Sequence, residues 1–166
     1  MNPYIRITRY PYEEPYHLNL MMTASNGHLC GKLEFYLNTA ALIEWADAME
    51  TFPKHAQSVF LWDVGSERPE DRFAFYFRLR VFTVDPLGHC AIQLRFNNNA
   101  ELPDREIVEF CIRSEAAQIN RFGRLCREFA KLSHQVLDWS LFDGQLYEST
   151  QDAEHINPVD SRNARG

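Results

Sequence analysis

Alternation of apolar and polar side chains over residues 72–96 constrains this chain more than any other feature. The stretch reads RFAFYFRLRVFTVDPLGHCAIQLRF. Period-two alternation is typical of β-strands with one buried face. The Pro-Leu-Gly turn at 86–88 predicts that the two runs are antiparallel neighbours. The apolar set predicted to face the core is Phe73, Phe75, Phe77, Leu79, Val81, Cys90, Ile92, Leu94 and Phe96.

The opposite face of these strands is rich in arginine. It carries Tyr76, Arg78, Arg80 and Arg95, and a later alternating run at 108–113 adds Arg113 if it joins the same sheet. Arginine binds carboxylates and phosphates in a bidentate manner, and tyrosine can stack on a ring. We therefore predict a partner-binding surface at these five residues.

Charge distribution leaves three interpretations of that face open. The net charge is −6, yet residues 72–136 carry 10 basic and 7 acidic side chains. The arginines could be satisfied by the protein's own acids, such as Glu34, Glu109 and the first helix. They could also form a protein interface or bind nucleic acid, although the acidic balance and the missing RNP1 pattern disfavour nucleic acid.

A second candidate surface is the segment PYEEPY at residues 11–16. Its two prolines predict a loop or an extended connection. It presents Tyr12, Glu13, Glu14 and Tyr16. Tyrosine offers large contact area at low entropic cost, so the composition suits a protein interface. The alternative is an ordered connection packed by its own tyrosines.

The remaining patterns predict an α+β fold. Asn26-Gly27 between alternating runs is typical of a hairpin. Asn38 is positioned to cap a helix over 39–51, and Ser114 to cap a long helix over 115–137 in which Gly123 would permit close approach of another backbone. We expect two layers, with one short and one long helix on one face of a largely antiparallel sheet. Residues 1–147 would form a single domain and 148–166 a polar, flexible tail.

No pattern predicts catalysis, a cofactor or a metal site. The chain lacks a Walker loop, a dinucleotide fingerprint and a G-x-S-x-G elbow. Its four cysteines form no C-x-x-C pair. Cys111 is the best candidate for a reactive thiol, because neighbouring arginines could lower its pKa, but a structural role for it is favoured. The absence of an apolar leader or an 18-residue apolar run predicts a cytoplasmic protein without membrane contact.

Three segments carry a resemblance to a known kind of protein. They are GKLEFYLNTAALIEWADAMETFP, CAIQLRFNNN and VEFCIRSEAAQINRFGRLCREFAKL. Over about residues 4–142 the chain resembles small bacterial single-domain proteins of unknown function, some of which look like immunity proteins that neutralise toxins. The resemblance implies a non-enzymatic domain that binds a protein partner, such as a toxin. The domain could also form a homodimer. The alternative is a ligand- or nucleic-acid-binding regulator that uses the arginine face.

Overall fold

The fold consists of two antiparallel sheets and two substantial helices. A computed structural model describes residues 2–154. Within this range the elements are β1 (Tyr4–Glu13), β2 (His17–Ser25), β3 (Cys30–Leu37), α1 (Thr39–Glu50), β4 (Val59–Gly65), β5 (Tyr76–Thr83), β6 (His89–Asn97), β7 (Ile107–Glu115), α2 (Ala116–Phe129), β8 (Val136–Ser140), β9 (Gly144–Tyr147) and α3 (Thr150–Glu154). A single 3₁₀ turn, Pro69–Asp71, lies between β4 and β5.

The five-stranded sheet has the order β3-β2-β1-β8-β9. The predicted Asn26-Gly27 hairpin joins β2 to β3, but the loop spans residues 26–29, and of the two predicted turn residues only Gly27 has a positive φ, of 95°. β8 returns from the C-terminal part of the chain to pair with β1. Ile5, Ile7 and Leu20 lie on the buried face of this sheet.

The four-stranded sheet is a simple meander with the order β4-β5-β6-β7. The hairpin predicted at residues 86–88 joins β5 to β6, and Phe77 is paired with Phe96 in its register. The predicted alternation is confirmed from Phe77 onward. The prediction that Phe73 faces the core is wrong, because Phe73 precedes β5, is 52% exposed and contributes nothing to the core.

The two long helices differ in how well their ends were predicted. Asn38 caps α1 as expected, since its side chain accepts a hydrogen bond from the Ala41 amide at 2.8 Å. α2 begins one residue after Glu115, which forms a capping box with Gln118, and not after Ser114. It ends at Phe129, well before residue 137. Leu132 adopts a left-handed φ of 62°, which cannot continue a helix.

Both sheets and both helices share one core. Phe35 of β3 stacks on Phe77 of β5 with ring centroids 4.4 Å apart, so the two sheets touch directly. Trp45 of α1 packs near the same Phe77, and Phe122 of α2 packs against Trp139 of β8. The predicted α+β class with antiparallel strands is therefore confirmed. The strands are divided between two sheets, which the sequence pattern did not indicate.

The C-terminal segment is described only in part. Within the stretch predicted to be a tail, residues 150–154 form α3, and Ala153 is buried. The rest of the predicted tail, residues 155–166, lies outside the described residues.

Candidate protein-binding surface

The register of the four-stranded sheet aligns four charged residues in one row. Asp63 lies opposite Arg78, Arg78 opposite Arg95, and Arg95 opposite Glu109. Because these residues share one face, their side chains meet across the strands. Asp63 Oδ1 lies 3.0 Å from Arg78 Nε, and Glu109 Oε1 lies 4.0 Å from Arg95 Nη1. We call these four residues the ionic row.

A loop carboxylate completes the ionic row. Glu67 accepts hydrogen bonds from Arg95 Nε at 2.7 Å and Arg95 Nη2 at 2.8 Å, and a third from the Asn97 amide. The hydrogen bonds from Arg95 are the main reason that the pKa of Glu67 is lowered. The arginines of the row are therefore largely satisfied by the protein itself. Their partners are Asp63, Glu67 and Glu109. Glu34 belongs to the other sheet and takes no part.

The acidic side of α1 also has a different partner from the one expected. Asp47 and Glu50 pair with Arg127 of α2, at 2.5 and 2.8 Å. Hydrogen bonds to these two carboxylates raise the pKa of Arg127. The carboxylates of α1 therefore pair with α2 and not with the arginines of the four-stranded sheet.

The Tyr76 ring lies on this face but is covered, since the Arg78 guanidinium lies over it at 5.7 Å from the ring centroid. It is only 7% exposed, and its hydroxyl donates a hydrogen bond to Asp63 Oδ1 at 2.9 Å. Burial, and then this carboxylate, raise the pKa of Tyr76. The Tyr76 ring is therefore not available to stack on a partner, contrary to the prediction. Tyr76 instead orients Asp63 from beneath the exposed surface.

Arg80 and Arg113 differ from the arginines of the ionic row. The guanidinium of Arg80 lies 4.4 Å from the centroid of the Phe82 ring, in cation–π geometry. Arg113 is exposed on the edge strand β7, opposite Ala91. Neither arginine has a carboxylate ion-pair partner within residues 2–154, so both keep their charge available at one end of the face.

The PYEEPY segment is partly strand and partly turn. Tyr12 and Glu13 lie at the end of β1, and Tyr12 stacks on Tyr10 with an interplanar angle of 12°. Glu14 is held by an ion pair with Arg9, so it is less available than its neighbours. Tyr16 is 82% exposed. This segment therefore offers Tyr12, Glu13 and Tyr16 to a partner.

A cleft connects the loop with the ionic row. Its volume is about 380 Å³, within the range of ligand pockets. Aromatic side chains and a carboxylate dominate its lining. It is lined by Tyr16, His17, Tyr36, Leu37, Asn38, Ala41, Trp62, Asp63, Val64 and Gly65. The structure thus joins Tyr16 to the Asp63 end of the arginine face, while Arg113 lies three strands away on β7 and four residues further along the register.

Sequence reasoning missed the residues that link the two candidate surfaces. Tyr36 lies on β3 and is exposed on the opposite face from Phe35, and the alternation of the run around it already indicated this orientation. Trp62 and Asp63 lie on β4, next to each other in the chain. Their approach to Tyr16 depends on how the two sheets meet, and no local pattern records that.

The cysteine and histidine side chains of residues 2–154 do not come together in a common site. The lowered pKa considered for Cys111 is not found, because burial and the Glu109 charge raise its pKa more than Arg80 and Arg113 lower it. His89 lies 2.6 Å from Asp85 beside the turn after β5. Within residues 2–154, no three His, Cys, Asp or Glu side chains are grouped as a metal site.

Comparison with known proteins found no relative of this chain. No family model, no curated protein and no solved structure matches the chain. None of the helices in residues 2–154 combines the length and the apolar character needed to cross a membrane. The surface is therefore interpreted from its own geometry.

Proposed function

We propose that this chain is a non-enzymatic protein-binding domain that acts in the cytoplasm. One observation carries the proposal: the cleft joins two exposed tyrosines, Tyr16 and Tyr36, to Asp63 at the end of the ionic row. Aromatic side chains around a concave site, with a few fixed polar groups, are typical of protein interfaces and their anchoring pockets.

The polar part of this surface is preorganised. Asp63 is held by the Tyr76 hydroxyl and by Arg78, and Arg95 on the next strand is held by Glu67. A partner would therefore meet charges that are already oriented, which lowers the entropic cost of binding. The exposed tyrosines would supply most of the affinity, since tyrosines at the centre of an interface cost about 2 kcal/mol or more when truncated.

An immunity-type inhibitor is the form of this function that we propose. The chain carries a net charge of −6, which would steer it toward a basic toxin. The resemblance to small bacterial proteins of that kind points the same way. The toxin would place an apolar or cationic side chain in the cleft, between the aromatic rings and Asp63.

The test uses the protein encoded beside this chain in its genome. We expect it to bind the purified chain in calorimetry, and co-expression of the chain to restore growth that the neighbour suppresses. The variant Tyr16→Ala/Tyr36→Ala should weaken binding at least about tenfold, because it removes both aromatic walls. Phe142→Ala is the matched control, since Phe142 is also exposed but lies in the turn between β8 and β9.

Two outcomes would contradict the proposal. If the neighbouring protein neither binds nor suppresses growth, the immunity function fails. If it binds but the tyrosine double variant binds as tightly as the Phe142→Ala control, the cleft is not the contact surface.

A second candidate function is a ligand- or nucleic-acid-binding regulator. It is favoured by the two arginines, Arg80 and Arg113, that lack carboxylate partners within residues 2–154. Two phosphate contacts on a single strand would give a salt dependence with a log–log slope of about −1.4. Fluorescence anisotropy with a labelled single-stranded oligonucleotide would show this slope, and Arg80→Ala/Arg113→Ala would remove it. An oligonucleotide affinity unchanged in that variant rules out the arginine face.

A further inference from the structure

β4 is an edge strand with unpaired backbone groups. Among the strands of residues 2–154, it pairs only with β5. The Thr83 amide donates to the Ser58 carbonyl, so Phe60, Trp62 and the other even-numbered residues direct their backbone groups toward β5. The odd-numbered residues of β4 therefore direct their amides and carbonyls outward. None of these outward groups has a backbone partner within residues 2–154.

The other sheet edges are protected, and the edge at β4 is not. Natural edge strands avoid pairing with other chains by being short or by carrying charged side chains. β3 carries Lys32 and Glu34, β7 carries Glu109 and Arg113, and β9 has only four residues. β4 has seven residues, VFLWDVG, of which only one is charged.

Apolar side chains lie on both faces of this edge. Val59 and Leu61 are exposed on the outer face, and Leu61 is 49% exposed. Phe60 and Trp62 lie on the inner face and are only partly covered by the core. Strand addition at this edge would remove apolar surface from water on both sides and satisfy the outward backbone groups together.

Backbone conformation limits the part of β4 that can accept a strand. Gly65 has a φ of 81°, so the regular extended conformation ends before it. The outward residues that remain are Val59, Leu61 and Asp63, and Leu61 lies at their centre. An added antiparallel strand would therefore be centred on Leu61.

We propose that a second copy of this chain occupies the edge, with β4 pairing antiparallel to the partner copy's β4 about a twofold axis at Leu61. In this register Leu61 faces its own symmetry copy, and Val59 faces Asp63 of the other copy. Each opposed pair exchanges two backbone hydrogen bonds. A register centred on Asp63 would place two carboxylates opposite each other, which is unfavourable. The charge pattern thus favours the Leu61 register, and the dimer joins two four-stranded sheets into one.

The first test measures mass against concentration. Sedimentation or light scattering should show a mass rising from 19.5 kDa toward twice that value as the concentration increases through the micromolar range. Leu61→Lys and Leu61→Glu should each stay monomeric, because like charges then face each other. Mixing these two variants should restore the dimer. Ile107→Lys is the matched control, since Ile107 on β7 is 48% exposed and lies on the opposite edge of the same sheet.

The second test fixes the register by disulfide trapping. In a Cys30→Ser/Cys111→Ser background, Leu61→Cys should oxidise to a covalent dimer, because opposed hydrogen-bonded residues have Cα atoms about 5.5 Å apart. Val59→Cys should not link to its own copy, which lies several residues along the strand.

The results that would overturn the proposal are specific. A wild-type chain that stays monomeric at high micromolar concentration refutes the dimer. A dimer that persists in Leu61→Lys, or that is lost in Ile107→Lys, refutes the β4 edge. A disulfide at Val59→Cys and none at Leu61→Cys refutes the register. Because Asp63 belongs both to this edge and to the lining of the cleft, these tests use the purified chain alone, with no other protein present.

Discussion

The contact between α1 and α2 at Gly123 gives the sharpest prediction for stability. A Cβ atom at this position would lie 2.7 Å from the Glu50 amide nitrogen and 3.0 Å from the Met49 carbonyl carbon. Both are backbone atoms, so they cannot rotate away as a flexible side chain would. Gly123 therefore fixes how closely the two helices approach.

The expected cost follows from two opposing effects. Replacing glycine by alanine in a helix normally stabilises it by about 1 kcal/mol. Overpacking a close contact costs about 1–3 kcal/mol. The helices cannot move apart without loss, because the Asn120 amide donates to the carbonyls of Met49 and Phe52, and Arg127 pairs with Glu50 across the same contact. We expect Gly123→Ala to lower the free energy of unfolding by about 1 kcal/mol, and Gly123→Val by about 3 kcal/mol.

Urea denaturation followed by circular dichroism measures this change directly. For a domain of this length, each kcal/mol corresponds to a shift in Tm of about 2–4 °C. Arg124→Ala is the control, because Arg124 is the exposed neighbour of Gly123 in α2. It should change the free energy of unfolding by less than about 0.5 kcal/mol. If Gly123→Ala is instead more stable than the wild type, the helices separate freely and the argument from close approach is refuted.

Two further predictions concern pH. The hydrogen bond that the His89 ring donates to the Asp85 carboxylate raises the pKa of His89, so the pair stabilises the fold below the ordinary histidine pKa and this contribution is lost as pH rises through the raised value. In an NMR titration, Asp85→Asn should lower the His89 pKa, and an unchanged value would show that the pair does not form in solution. Hydrogen bonds from Arg95 lower the pKa of Glu67, so this pair stabilises the fold at neutral pH and the contribution is lost as pH falls through the lowered value. Glu67→Gln should therefore narrow the gap in unfolding free energy between neutral and acidic pH, and an unaltered gap would contradict the assignment.

The sequence predicted the local features of the fold well. Alternation around Phe77 identified β5 with its correct buried face, and Asn26-Gly27 identified a hairpin. Asn38 and Gly123 were assigned the roles that they have. These predictions succeed because strand periodicity, turn conformation and helix capping depend on residues that are close together in the chain.

The candidate site was predicted only in part. Arg78 and Arg95 were expected on one face and lie there, opposite each other. Their main acids, Asp63 and Glu67, lie on β4 and in the loop after it, and the acids considered from the sequence were others, such as Glu34 and Glu109. The cleft beside Tyr16 was not predicted at all.

What the sequence by itself determined is therefore the set of elements and the side chains on each of their faces. The tertiary structure alone decided which faces meet: that β8 returns to β1, that the strands form two sheets, and that Tyr16 lies beside Asp63. The physical reason is that such pairings join residues far apart in the chain. Their choice depends on the loop-closure entropy and on how the whole apolar surface is buried, and no short stretch of sequence contains that information.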